Sequence, residues 1–141
     1  MNSLLDSFDI AASSLIAQSE LKRINIKNLA YSESLIKKNN GSYEPYTPET
    51  AIVKFLPINK NEKNIGGIYI EKIIQKKKPI NFIYQPNNVL ANKKGYIPNN
   101  NTTPLNETIK NIDISLQYKM SVEILKTIKN LILKTLSLYE N

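Results

Sequence analysis

The stretch LQYKMSVEILKTIKNLILKTLSLYEN, residues 116–141, decides the fold, because its apolar residues do not lie along one face. One series runs Tyr118, Val122, Leu125, Lys129, Ile132, Leu136 and Tyr139; a second runs Ile114, Gln117, Ser121, Ile124, Ile128, Leu131, Thr135 and Leu138. Both alternate spacings of three and four, so the segment predicts a helix with more than one apolar side. Just upstream, Leu105, Ile109, Ile112 and Leu116 form a third short stripe. Pro104 suits the first turn of such a helix, and Glu107 complements the positive end of its dipole.

Length sharpens the point. About 35 residues of helix span roughly 50 Å at about 1.5 Å per residue, whereas a compact globule of this chain length is only about 37 Å across. A helix apolar on several sides is buried in a large core, lies in a membrane, or packs on other subunits. A chain of 141 residues is too short for the first, and Lys119, Lys126, Lys129 and Lys134 interrupt the second. Association with other chains remains. The competing reading is a pair of shorter, kinked helices folded back on the middle segment as an ordinary α+β domain.

Working outward, the N-terminal segment shows a matching pattern. Leu5, Phe8, Ala12, Leu15, Ser19, Lys22, Ile26 and Leu29 follow heptad spacing, and Ile10, Ser14, Ala17, Leu21 and Ile24 follow it on another face. This predicts a two-sided helix that fades near Ser32 to Ser34, where KKNNGSYEPYTPET gathers Asn, Gly and Pro. Between the helices, AIVKFLP, GGIYIEKIIQ and INFIYQP have the β-branched and aromatic content of short strands. Lys76 to Pro79 are expected to form the turn between the second and third of these, with Gly66 and Gly67 at a bend or bulge. QPNNVLANKKGY reads as loop, with Gly95 in a left-handed position.

The expected architecture is α+β, mainly α: long N- and C-terminal helices pairing as a coiled coil around a small antiparallel β middle. Residues 1–34 and 104–141 are expected to form one discontinuous helical assembly domain, and 35–103 the β and loop segment. Phe8, Ala12, Leu15, Ile24, Asn28, Leu29, Tyr118, Val122, Leu125, Ile128, Leu131, Ile132 and Leu136 are the candidate assembly residues.

Chemistry is poorly represented. The chain has no Cys and no His, which removes thiol nucleophiles, the usual zinc ligand sets and the commonest general base. Asp6 and Asp9 lie near a helix start and read as dipole partners. NIGGIYI lacks both the dinucleotide fingerprint and the Lys-Ser/Thr ending of a phosphate loop. No catalytic, cofactor or metal residue is singled out, and no small-molecule substrate is expected. The net charge of +7 fits a chain rich in Lys, Asn and Ile together, a compositional bias that says little about partners. The alternative is a small basic nucleic-acid-binding protein, using Lys76 to Lys78, Lys93 and Lys94 with Tyr69, Tyr84 and Tyr96. The N-terminus lacks a basic n-region, and Asp6 and Asp9 break its apolar run, so a cleaved signal is not expected.

Three ordered blocks carry a resemblance. They are FDIAASSLIAQSELKRINIKNLA, then IYQPNNVLANKKGYIPNNN, then SLQYKMSVEILKTIKNLILKTLSL. In these the chain resembles the axial proteins of the bacterial flagellum, and most closely the proximal rod proteins of the C type. It departs from the family's pattern at Lys22, Tyr31, Leu116, Met120 and Ser121. The resemblance implies a non-enzymatic structural subunit whose terminal helices pair in an inner domain, stacked helically around a central export channel. It implies as partners copies of the chain itself, other flagellar rod proteins, and the export gate or MS ring at the base of the rod, with no nucleic acid. It places the chain in the periplasm-spanning rod, peripheral to the membrane only through the basal body, exported by the flagellar type III route without a cleaved signal.

Overall fold

A computed structural model describes residues 2–57, 66–99 and 102–141. The element order is α1 (Asn2–Tyr31), β1 (Leu35–Lys37), β2 (Tyr43–Pro45), β3 (Glu49–Leu56), β4 (Gly67–Gln75), β5 (Asn81–Tyr84), β6 (Tyr96–Asn99) and α2 (Pro104–Tyr139). Thr103 starts α2 from an extended backbone, its side chain accepting from Asn106 N at 3.3 Å. Pro104 follows in the first turn, and with neither Gly nor Pro downstream the helix runs on for 36 residues. Helix α1 runs for 30 residues and stops at Tyr31, just before the expected breakpoint. At about 1.5 Å per residue the two helices are about 45 and 54 Å long. They lie antiparallel, with Asn25 of α1 bonded to Glu107 at the start of α2 and the earlier Lys22 over the later Tyr118.

The described strands form three separate two-stranded antiparallel sheets: β1 with β2, β3 with β4, and β5 with β6. The first closes around Gly41, at φ 82°, with Gly41 N donating to Lys38 O at 2.9 Å. In the second, the register slips between Ile52 and Val53. Ile52 and Val53 face Lys72 and Ile70, so the extra residue is Glu71 and the bulge is on β4, downstream of Gly66 and Gly67, which open that strand with φ of 91° and 131°. Lys76 to Pro79 link two hairpins; they do not close one, because β4 pairs back on β3 and β5 pairs forward on β6. Gly95, at φ 81°, is left-handed as expected. The strand after it, β6, and the β1–β2 hairpin come from stretches whose Asn, Gly and Pro content reads as loop.

Helix α1 is covered on two sides, by α2 and by the β3–β4 hairpin. Gly67 makes the second contact close: a Cβ there would come within 2.7 Å of Ser13 Oγ. That hydroxyl accepts from Ile68 N at 3.0 Å and donates to Ile10 O at 2.7 Å, so a polar atom ties the strand to the helix. By contrast, α1 is the only described element against which α2 packs extensively.

The interior is small. Its fully buried apolar residues are Ala17, Ile24, Tyr46 and Ile97, beside buried Asn25, Asn28, Ser32, Thr102, Glu107 and Ser121. The molecule exposes 10377 Å², whereas a compact chain of 16.0 kDa exposes about 7,400 Å².

Candidate assembly surface

Burial along α2 separates its several apolar stripes. The covered positions are Glu107, Asn111, Ile114, Tyr118, Ser121, Leu125, Ile128, Ile132 and Thr135, a heptad seam facing α1 flanked by half-buried Ser115 and Val122. This seam crosses between the two series visible in the sequence, taking Tyr118, Leu125 and Ile132 from one and Ile114, Ser121, Ile128 and Thr135 from the other. Its first half is largely polar, and its second half is aliphatic.

On the far side runs a second stripe: Leu105, Ile109, Ile112, Leu116, Met120, Ile124, Leu131 and Leu138, between 47% and 77% exposed. At about 100° per residue these positions centre roughly 145° from the seam, so they point away from α1. A lone helical hairpin would place charge there. Covering each half-exposed side chain is worth about 1 kcal/mol.

The polar half of the seam is pinned by two buried amides. Asn25 Nδ2 donates to both Glu107 O (3.1 Å) and Glu107 Oε2 (3.0 Å), while Glu107 Oε1 accepts from Lys110 Nζ at 2.8 Å. One turn on, Asn28 completes the end of β3: its Nδ2 donates to Glu49 O at 2.8 Å, and its Oδ1 accepts from Glu49 N at 2.9 Å and from Tyr46 OH at 3.2 Å. The Glu49 carboxylate takes Lys27 Nζ at 2.5 Å, a bond that raises the Lys27 pKa. Burial, then the nearby Glu49 charge, pushes the Tyr46 phenol up. Lys22 sits 6.0 Å over the Tyr118 ring, the only cationic contact in the seam among the described residues besides Lys110. These pins fix the antiparallel register and join both helices to the sheet. Sequence reasoning missed Asn25, Tyr46 and Glu49, and took Glu107 only as a dipole partner. None of Asn25, Tyr46 and Glu49 falls in the heptad series read from the sequence.

The candidate residues divide accordingly. Ile24 and Asn28 are buried within the chain; Phe8, Ala12, Leu15, Leu29, Tyr118, Val122, Leu125, Ile128 and Ile132 are half-buried; Leu131 and Leu136 are exposed. Where α1, β4 and α2 meet, Leu15, Ile16 and Ala17 with Ile68 to Ile70 and Tyr118 line an apolar groove of about 700 Å³, with Ile16 72% exposed at its rim. Among the described residues no group of three or more His, Cys, Asp or Glu could hold a metal ion, and no helix is long and apolar enough to cross a membrane.

The chain is 43% identical over 138 residues to the flagellar basal-body rod protein FlgC of Buchnera aphidicola subsp. Acyrthosiphon pisum, covering 98% of this chain and 99% of the relative. The chain belongs to the FlgC family of flagellar basal-body rod proteins. Other FlgC proteins match nearly end to end: that of Buchnera aphidicola subsp. Baizongia pistaciae at 38% over 136 residues and that of Yersinia enterocolitica at 35% over 136. No protein-family model matches the chain. FlgC membership identifies a structural protein of the flagellar basal body, with which two long, paired helices are consistent.

Proposed function

We infer that the chain is a subunit of the flagellar rod that polymerises by helix–helix packing around a central export channel. The observation that carries this is the outward stripe on α2, which no other described element covers. Residues 1–34 and 104–141 form the axial part, and 35–103 lie outside it and fix the subunit's orientation. Copies of the chain and other rod proteins are the neighbours, with the export gate or MS ring at the base of the rod. Of the candidate residues, Leu131 and Leu136 are free to meet neighbours, while Tyr118, Leu125, Ile128 and Ile132 hold the pair itself together.

The test is Ile112→Asp with Leu116→Asp. Both side chains are more than half exposed, so the isolated variant keeps the helicity of the parent by circular dichroism. Recovery in isolated basal bodies is expected to fall at least about tenfold, since each buried charge opposes docking by several kcal/mol. Normal recovery contradicts the reading.

A further inference from the structure

The charge of the molecule is placed unevenly. Nineteen basic and twelve acidic residues give +7, yet residues 72–106 hold six lysines and no Asp or Glu, leaving 13 − 12 = +1 for the rest. Compositional bias explains how many lysines there are, but not why acid is absent from this one stretch. Among the described residues none of Lys72, Lys76, Lys77, Lys78, Lys93 and Lys94 forms an ion pair. Every residue from 71 to 90 is exposed.

Within this stretch the β5–β6 hairpin presents a preformed aromatic ledge. Phe82 and Tyr84 are two apart on one strand and so share a face; they are 60% and 62% exposed and stand opposite Pro98 and Tyr96. The Tyr84 ring lies against Tyr96, with centroids 5.3 Å apart, and over Gly95, where a Cβ would come within 2.9 Å of it. The turn beneath is tied by Gln85 N donating to Gly95 O at 2.8 Å, and by Asn92 Oδ1 accepting from Lys94 N at 2.9 Å and Tyr96 N at 3.0 Å. A ledge held this way loses little freedom on binding. Lys76 to Lys78 lie before one end of the hairpin and Lys93 and Lys94 at the other, so an apolar centre has a cationic rim.

We propose that this ledge is a docking surface for an acidic segment of a different protein, distinct from the helical assembly surfaces. A second copy does not fit it, because the remainder of the chain carries no surplus of acid and two such stretches repel each other. A nucleic acid fits less well, since one face of the Tyr84 ring is already occupied by Gly95. A lipid surface would be met by a protruding apolar tip, whereas the aromatic bulk here lies back on a strand face and only Val89 stands out.

The experiment titrates the purified full-length chain, by calorimetry, with a synthetic Glu/Leu peptide, a single-stranded oligonucleotide, and phosphatidylcholine vesicles doped with phosphatidylglycerol. The peptide is expected to bind most tightly. Lys76→Glu with Lys77→Glu and Lys78→Glu should weaken it about tenfold or more, as should Phe82→Ala. Tighter binding of oligonucleotide or vesicles, or peptide binding unchanged in both variants, overturns the proposal. A photo-crosslinker at Phe82 in isolated basal bodies gives a second readout. Attachment to an acidic peptide of another protein supports it; attachment to a second copy, or to nothing, overturns it. Recovery of the chain in basal bodies reports separately on the rod reading, and the titration in solution does not depend on that reading.

Discussion

The helical pair and the stretch from 72 to 106 both leave much of their surface uncovered, but in opposite chemical terms. The pair exposes aliphatic side chains along α2 and, with the remaining residues, sums to nearly zero charge. The other stretch carries six of the seven net charges, from the end of β4 through the β5–β6 hairpin. Apolar stripes on long helices suit many similar neighbours, because burial is non-directional and demands only matching shape. Unbalanced charge around a fixed aromatic ledge selects a partner of opposite sign. The two regions therefore differ in which partners they can accept.

Substitutions separate them. Ile24 is 4% exposed in the interior of the pair, and Ile24→Ala is expected to lower stability in urea unfolding by about 3 kcal/mol through the cavity it leaves. An unchanged midpoint would show that the pair has no packed interior at that point. Asn28→Ala removes three hydrogen bonds around Glu49 and Tyr46. The expected loss is about 2 kcal/mol, and Asn28→Asp, which keeps the acceptor and loses the donor, should recover only part of it.

Alkaline pH should act on the same junction. Lys27 and Tyr46 both have raised pKa values, so the folded chain holds their protons more firmly than the unfolded chain does. Their contribution is complete below about pH 10 and is lost as pH rises through the folded values. Thermal unfolding should therefore weaken above about pH 10, and Tyr46→Phe should flatten that decline. A decline of the same size in Tyr46→Phe would place its origin elsewhere. The smallest effect falls in the basic stretch: Phe82→Ala should change stability by less than about 0.5 kcal/mol, although it is expected to abolish most peptide binding. A large loss of stability there would mean that the ledge belongs to the core.

Much of this was legible in the sequence. Three-four spacing predicted both long helices, the turn-forming residues predicted the end of α1, and Gly95 was correctly read as left-handed. Spacing also showed that α2 is apolar on several sides. It could not show which side α1 covers, because a seam that passes between two series differs from either by only a fraction of a turn, and the partner decides among them. Asn25 and Glu107 are 82 residues apart, and no local pattern pairs them. The β1–β2 hairpin and β6 were hidden for a different reason, whereas β5 was read as a strand from INFIYQP. The hidden strands are three or four residues long, too short for alternation to outweigh neighbouring Gly, Asn and Pro. Of the candidate assembly residues, those on the seam proved to be occupied within the chain, while the stripe through Leu105, Ile109, Ile112 and Leu116 proved to be the open one.

The absence of native cysteine makes the most direct measurement simple. Leu116→Cys puts a single thiol on the outward stripe, and its rate of maleimide labelling can be compared between the isolated chain and intact basal bodies. Rapid labelling of the isolated chain, with at least about tenfold protection after assembly, is the expected result. Equal rates in both states would mean that no neighbour covers the stripe, contradicting assembly through the outer face of α2.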